Sequence, residues 1–295
     1  MDALLRDLLA CLDLEQKDDD HFRGPCEGGR RHGRIFGGQV LAQALMAAGR
    51  TVPDRPAHSL QALFLAMGDP TAEIDFDVER LRDGRSFAAR RVMARQGERA
   101  ILSMQVSFHA TEPGYEHQMP APKVPAPETL LPFAELAEKM RPHFAPQSAG
   151  WADQPRPLEV RFSEPPSYMG GQPLREPCGM WFRAEAALPD DALLHQSLLA
   201  YASDIAFNDS AHRPHAGPEE PALQAMASVD HSMWFHVPAR VDDWLLHYHE
   251  SPRAALARGH SRGSMFTRDG VLVASTGQDS LIRPAPPGTE PKPIE

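Results

Sequence analysis

The sequence predicts an α+β fold in which one plan, a helix followed by an antiparallel sheet that wraps it, occurs twice. In each half, a segment with helical periodicity precedes four strand-length runs. A proline-rich stretch, which suits neither a helix nor a central strand, separates the halves. Three short matches recur at a constant spacing of 173 positions: His58-Ser59 with His231-Ser232, Gly97 with Gly270, and Gln105 with Gln278. A shared spacing together with a shared element order indicates an internal duplication.

The first half begins with a helix over 36–50, where small and apolar residues repeat at helical spacing and Gly49 marks the end. Strand-length runs follow, bounded by turn residues such as Gly84 and Gly97. We expect the last three of these runs to form hairpins. The runs cover 58–66, 74–82, 86–96 and 100–109.

The second half repeats this order, with a helix predicted over 191–208. Its strand runs lie near 223–236, 244–253, 256–267 and 270–282. These patterns divide the chain into an N-terminal domain, a proline-rich linker, a C-terminal domain and a tail expected to be disordered. The respective boundaries are 1–118, 119–156, 157–283 and 284–295.

Composition narrows the possible functions. The 295 residues carry a formal net charge of −10, which opposes a nucleic-acid partner because such binding depends on clustered cations. No apolar stretch approaches the roughly 18 residues of a membrane span, and the acidic start is unlike a signal peptide. Cys11, Cys26 and Cys178 are scattered, without the spacing of a disulfide framework or a zinc site. We therefore expect a cytoplasmic protein with no metal.

Several segments of the chain are more distinctive than their predicted helices and strands require. In the first half they are Phe36–Gln39 and Arg80–Arg91, and in the second half Tyr201–Asp204 and Asp269–Thr276. The most specific is Asp230-His-Ser-Met-Trp-Phe-His236, an unusual run that generic strand composition rarely produces. These segments resemble those of the acyl-CoA thioesterase II family, the bacterial TesB-like enzymes, and the resemblance covers roughly residues 1 to 283.

The resemblance implies a double hotdog, two tandem hotdog domains in which each antiparallel sheet wraps a long helix. It also implies hydrolysis of acyl-CoA to free fatty acid and CoA, within fatty-acid metabolism, without metal or cofactor, by a homo-oligomer (dimer or tetramer). The catalytic residues of the family fall on Asp204, Gln278 and Ser228, the last standing where the family often has Thr. Only the second half holds this complete trio, so we expect one site per chain.

The chemistry of these side chains fits that role. Asp204 is expected at the edge of the apolar face of its helix. Partial burial raises the pKa of a carboxyl group, which can then act as a general base. The Gln278 carboxamide is expected to accept a hydrogen bond from the attacking water, and the Ser228 hydroxyl offers a second contact. Backbone N–H groups of Gly37 and Gly38, at the start of the first helix, are candidate donors to the oxyanion.

Other features of the sequence suggest alternative functions. Gly259-His-Ser-Arg-Gly263 matches the serine-hydrolase pattern around Ser261, but the residues after it predict another strand instead of the required helix. A related hydratase needs a His five positions after Asp204, where Asp209 stands. A catalytically silent acyl-CoA-binding protein stays open as an alternative. Two histidine pairs, expected to be solvated, lack a third ligand for a metal: His247 with His249, and His212 with His215.

Overall fold

The computed structural model describes residues 2–26, 34–144, 152, 154–217 and 223–286. In the first half, the predicted helix and the four predicted strands are all present, preceded by a short helix and two short strands. The bounds are α1 Ala3–Leu12, β1 Glu15–Gln16, β2 His21–Gly24, α2 Gly37–Arg50, β3 Ala57–Phe64, β4 Ile74–Asp83, β5 Phe87–Gln96 and β6 Arg99–His109.

The second half contains more elements than the sequence predicts. A helix within the proline-rich segment and two strands before the main helix are additional. The bounds are α3 Phe133–Met140, β7 Glu159–Phe162, β8 Cys178–Arg183, α4 Ala192–Ser203, α5 Asp209–His212, β9 Leu223–Ser228, β10 Asp230–Phe235, β11 Leu245–Ala255, β12 Arg258–Thr267 and β13 Leu272–Pro284. The tail predicted over 284–295 begins at the last residue of β13, and most of it, 287–295, lies outside the described residues.

Within the described residues, the strands form one antiparallel sheet in the order β1-β2-β4-β5-β6-β3-β10-β13-β12-β11-β8-β7, with β9 also on β13. Strands β3 and β10 pair at the centre, Leu60 opposite Met233, and join the two halves. The inner face of the sheet packs on α2 and α4 in one continuous core. This arrangement is the predicted double hotdog. In the described part of the chain, no helix is long and apolar enough to cross a bilayer.

Helices α2 and α4 pack against each other at glycine positions. Every residue of α2 from Gly38 to Gly49 is buried. A Cβ on Gly38 would lie 2.5 Å from the carbonyl oxygen of Tyr201, and one on Gly49 would overlap the side chain of Leu193. The absence of side chains at both ends lets the two helices approach closely. This approach brings the start of α2 to the end of α4.

The predicted helix over 191–208 is shorter in the structure. It ends at Ser203, and Asp204 caps it instead of lying within it. Ala206 then adopts a left-handed conformation with φ of 56°, which breaks the helix although no glycine marks the break. The strand predicted over 223–236 is likewise interrupted, at Val229, whose N–H bonds the carbonyl of Asp279 in β13.

The strand registers correct one of the three repeat matches. Val92 pairs with Met104 in the first half, whereas Met265, its counterpart 173 positions later, pairs with Ala274. The two partners are twelve positions apart in the first hairpin and nine in the second, so the second hairpin is three residues shorter. Beyond this turn, the spacing between equivalent residues falls from 173 to 170.

Gln105 and Gln278 are therefore not structural equivalents. The counterpart of Gln278 is Phe108, which is also fully buried, while the counterpart of Gln105 is Ser275. Gln105 is exposed on the outer face of a central strand. The two glutamines lie 173 positions apart by coincidence, because structurally equivalent residues of β6 and β13 are 170 positions apart.

Candidate active site

The three predicted catalytic side chains come together between the end of α4, the end of β9 and the middle of β13. The Ser228 hydroxyl lies 3.5 Å from Asp204 Oδ1 and 3.2 Å from Gln278 Nε2. Ser228 is half-buried, whereas Asp204 is 8% exposed and Gln278 is fully buried. The hydroxyl thus stands between the carboxylate and the amide.

The carboxylate of Asp204 rests against the N-terminus of α2. Its Oδ2 accepts a hydrogen bond of 2.9 Å from the N–H of Gly38. A Cβ on Gly37 would lie 2.8 Å from the same oxygen, so this approach requires glycine. The positive end of the helix dipole favours an anion here. The sequence makes the N–H of Gly38 a candidate donor to the oxyanion, whereas in the structure this N–H donates to the Asp204 carboxylate.

The carboxamide of Gln278 has both ends engaged. Its Oε1 lies 2.5 Å from His231 Nδ1. Its Nε2 donates to Ser228 Oγ and to the side-chain oxygens of Asn208 and Ser280. The amide nitrogen, and not the oxygen, therefore faces Ser228. This differs from the acceptor role expected from the sequence, because the oxygen is committed to a histidine behind the site.

Asn208 and Ser280 belong to the same polar cluster, and the sequence did not single them out. Asn208 Oδ1 accepts from Ser280 Oγ at 2.6 Å and from Ser228 Oγ at 3.4 Å. Ser280 follows Gln278 by two residues on one strand, so the alternation rule would have placed both on one face. Asn208 gives no such signal, because it lies in the turn that follows the break at Ala206.

A cavity of about 450 Å³ opens beside this cluster. Asp204, Asn208 and Ser228 contribute to its wall, together with Gly37. Gln278 lies one layer behind that wall and reaches the cavity through Ser228 and Asn208. The larger apolar residues of the wall are Ile35, Phe36, Val40, Phe64, Leu65, Met67, Ile101, Phe207 and Met226. The remaining polar and charged residues are Arg34, Gln154, Arg156, Tyr168 and Asp209.

Three buried histidines surround the ring of Phe207, at centroid distances of 5.0–5.9 Å. Burial lowers the pKa of His231 to about 4 and of His249 to about 3, and the pKa of His247 also lies well below its usual value. All three are therefore neutral at pH 7. The expectation of solvated side chains at His247 and His249 is wrong, because both point from β11 into the interior, where they are 0% and 3% exposed.

The serine-hydrolase motif is part of the sheet. Ser261 is fully buried in β12, directly opposite Gln278 of β13, and its hydroxyl donates to the carbonyl oxygen of Phe207 at 3.1 Å. The strand continues to Thr267 without the strand-to-helix turn that exposes a nucleophile. Among the described residues, no three ligating side chains are grouped to hold a metal.

Comparisons with known proteins agree with this architecture. The family model described as "Acyl-CoA thioesterase" matches residues 152–281, and the model "Acyl-CoA thioesterase N-terminal domain" matches residues 28–109. The curated Acyl-CoA thioesterase 2 of Haemophilus influenzae is 40% identical over 289 residues, covering 96% of this chain and 99% of that protein.

Solved structures give the same result. The acyl-CoA thioesterase II TesB2 of Mycobacterium marinum is 36% identical, with a TM-score of 0.76 over 97% of this chain and all of that one. A hot dog fold protein of Alicyclobacillus acidocaldarius, only 18% identical, shares the fold with a TM-score of 0.74 over 95% of this chain and 98% of its own. With this identity along nearly its full length and with this fold, the chain belongs to the acyl-CoA thioesterase II family.

Proposed function

We propose that this protein hydrolyses acyl-CoA thioesters to a free fatty acid and CoA, with a water activated by Asp204 and positioned by Ser228 and Gln278. The observation that carries the proposal is the convergence of these three side chains, with Asp204 and Ser228 in the wall of one largely apolar cavity and Gln278 directly behind Ser228. Family membership supports the same reaction, since the Haemophilus influenzae relative is named an acyl-CoA thioesterase.

The proposed reaction needs no covalent intermediate. A water between Asp204 and Ser228 donates one hydrogen to the carboxylate and accepts one from the hydroxyl, leaving a lone pair for the thioester carbonyl carbon. As the water oxygen bonds to that carbon, its proton passes to Asp204. The tetrahedral intermediate then collapses, the C–S bond breaks, and the CoA thiolate takes the proton from Asp204. Gln278 N–H orients the Ser228 hydroxyl from behind.

The start of α2 is the proposed site of oxyanion stabilisation. Gly37 lines the cavity, and the N-terminus of a 14-residue helix favours developing negative charge. Gly38 contributes differently, because its N–H anchors the Asp204 carboxylate. Anchoring one oxygen leaves Asp204 Oδ1 as the atom that faces Ser228 and the water.

The cavity walls suit both parts of the proposed substrate. Apolar side chains such as Phe64 and Ile101 offer a surface for an acyl chain. Arg34 and Arg156 line the same cavity, and guanidinium groups are effective partners for phosphates such as those of CoA. An acyl chain and an anionic carrier thus both have complementary surface around Asp204.

A free-thiol release assay with octanoyl-CoA and palmitoyl-CoA tests the function. We expect the wild type to release thiol and Asp204→Asn to lose kcat by about a hundredfold to ten-thousandfold, because the substitution removes the base while keeping the shape. Asp279→Asn, which alters an exposed carboxylate on β13, is the matched control and should be fully active. No turnover by the wild type would contradict the function, and an active Asp204→Asn would contradict the mechanism.

Two alternatives have distinct outcomes in the same assay. A silent binding protein would retain acyl-CoA in equilibrium dialysis without releasing thiol. A serine hydrolase would lose activity in Ser261→Ala and accumulate a covalent acyl-enzyme detectable by mass spectrometry. Because Ser261 is buried, we expect neither a loss of activity in Ser261→Ala nor a covalent acyl-enzyme.

A cytoplasmic location and a homo-oligomeric state, dimer or tetramer, are part of the same proposal. Leu63 and Trp234, 54% and 42% exposed on the adjacent strands β3 and β10, are apolar side chains on the outer sheet face that association between copies would cover. Light scattering after size-exclusion chromatography measures the state directly. A mass of 32.6 kDa in solution would contradict oligomerisation.

A further inference from the structure

His231 bridges the two elements that carry Asp204 and Gln278. It is fully buried near the start of β10. Its Nε2 lies 2.8 Å from the hydroxyl of Ser203, the residue directly before Asp204, and its Nδ1 lies 2.5 Å from Gln278 Oε1. One rigid ring thus spans the distance from the end of α4 to β13.

The hydrogen-bond direction through this ring follows from its partners. Burial lowers the pKa of His231 to about 4, so at neutral pH the imidazole has one N–H and one lone pair. Gln278 Oε1 can only accept, which places the hydrogen on Nδ1. Nε2 is then the acceptor, and the Ser203 hydroxyl, which also lies 2.8 Å from the carbonyl oxygen of Ala200, is its donor.

The same hydrogen bond holds the end of the Gln278 carboxamide that faces away from the catalytic hydroxyl. With Oε1 held by His231, Nε2 points toward Ser228 and toward Asn208 Oδ1, which is itself an acceptor. If the amide were reversed, Gln278 Oε1 would face Asn208 Oδ1, and the Ser228 hydroxyl would lose the N–H that donates to it. The orientation of Gln278 is therefore imposed from both sides.

We propose that His231 is a positioning residue that holds the Gln278 amide with its N–H groups toward Ser228 and ties Gln278 to the helix end that carries Asp204. This inference rests on the proposed thioester hydrolysis. His231 does not line the cavity and does not touch substrate. It acts on the reaction only through Gln278 and Ser203.

A second buried histidine provides the control for burial alone. His247 is also fully buried and also packs on Phe207, but its Nε2 bonds Thr276 Oγ1 at 3.0 Å and neither nitrogen contacts Gln278 or Ser203. Its loss removes comparable packing without changing the amide of Gln278. A purely structural role for His231 would make the two histidines equivalent.

Two isosteric substitutions separate the two ring nitrogens. His231→Asn places an amide nitrogen where Nδ1 stands, and His231→Gln places one where Nε2 stands. We expect His231→Asn to keep most of the wild-type kcat in the thiol release assay. His231→Gln should lose about tenfold to a hundredfold in kcat with little change in KM, because the amide of Gln278 is no longer held.

The stability of each variant is measured in parallel. His247→Asn should lower the unfolding temperature as the His231 variants do but retain kcat. Equal kcat in His231→Asn and His231→Gln, or an equal loss in His247→Asn, would overturn the inference while the hydrolase function stands. If the wild type releases no thiol, the proposed function fails instead.

A spectroscopic measurement on the wild-type protein is independent of activity. In the wild-type protein labelled with ¹⁵N-histidine, His231 should appear with its hydrogen on Nδ1, the tautomer less favoured in water. Its signal is identified by its shift in Ser203→Ala, a change that removes the partner of Nε2. A hydrogen on Nε2 would reverse the deduced direction and overturn the inference.

Discussion

Ser228 occupies the position on which the chemistry of the site depends most closely, because its single hydroxyl contacts both Asp204 and Gln278. The hydroxyl is half-buried, and serine leaves it free to rotate between Asp204 and Asn208 as acceptors. A β-branched residue restricts this rotation. The site thus has the hydrogen-bonding groups that the proposed reaction uses, but the orientation of the Ser228 hydroxyl is not restricted.

Substitutions of Ser228 test this residue-scale role. We expect Ser228→Thr to keep or raise kcat, since the added methyl restricts the side-chain rotamer and preserves the hydroxyl. Ser228→Ala should lose about tenfold to a hundredfold in kcat, because the water loses a partner that positions it. Steady-state thiol release measures both, with the outward-facing Ser275→Ala as a fully active control. An Ala variant as fast as the wild type would rule out the role.

At the scale of the secondary-structure elements, one hairpin turn adopts a backbone conformation that its residue types disfavour. The hairpin between β11 and β12 closes through Leu256 and Ala257, both left-handed with φ of 54° and 57°. Two successive residues of this conformation form the turn that matches strand twist, for which Asn-Gly is the preferred pair. The predicted break lies at 254–255, two residues before the observed turn, because neither Leu256 nor Ala257 is a residue type that signals a turn.

Replacing this pair should stabilise the protein. Leu256 is 86% exposed, so Leu256→Asn with Ala257→Gly loses little packing and relieves two strained residues. We expect a gain of about 1–2 kcal/mol in the free energy of unfolding, measured by urea denaturation. Ala255→Gly, at the adjacent residue of ordinary conformation, should instead destabilise. A double variant no more stable than the wild type would show that the turn is not strained.

At the scale of the whole molecule, the three buried histidines around Phe207 couple stability to pH. In the unfolded chain an imidazole binds a proton below a pKa of about 6.5. In the folded protein His231 and His249 do so only near pH 4 and 3. Their contribution to stability is therefore complete above pH ~6.5 and is lost as the pH falls toward the folded values.

This linkage predicts the effect of removing one histidine. Between pH 7 and pH 5, the wild type should lose free energy of unfolding, and His249→Gln should lose about 2 kcal/mol less over the same interval. Urea unfolding of both proteins at the two pH values measures the difference. Identical losses would mean that His249 already binds its proton in the folded protein at pH 5.

Much of the molecule was determined by sequence pattern. The periodicity of α2 and the alternation and turn glycines of β3 to β6 act locally, so their positions were predicted within a few residues. The double-hotdog fold was predicted from the same patterns, with the resemblance as support. Asp204, Ser228 and Gln278 came from the resemblance, because no local pattern distinguishes a catalytic Asp from one that caps a helix.

The tertiary structure decided what depends on partners distant in the chain. The break after Ser203 and the hydrogen-bond partners of His231 follow from contacts that no local pattern encodes. The amide of Gln278 turns its nitrogen toward Ser228 because a histidine from another strand takes its oxygen. Residue types and their periodicity are properties of the sequence, whereas hydrogen-bond direction in a buried cluster depends on every partner being in place.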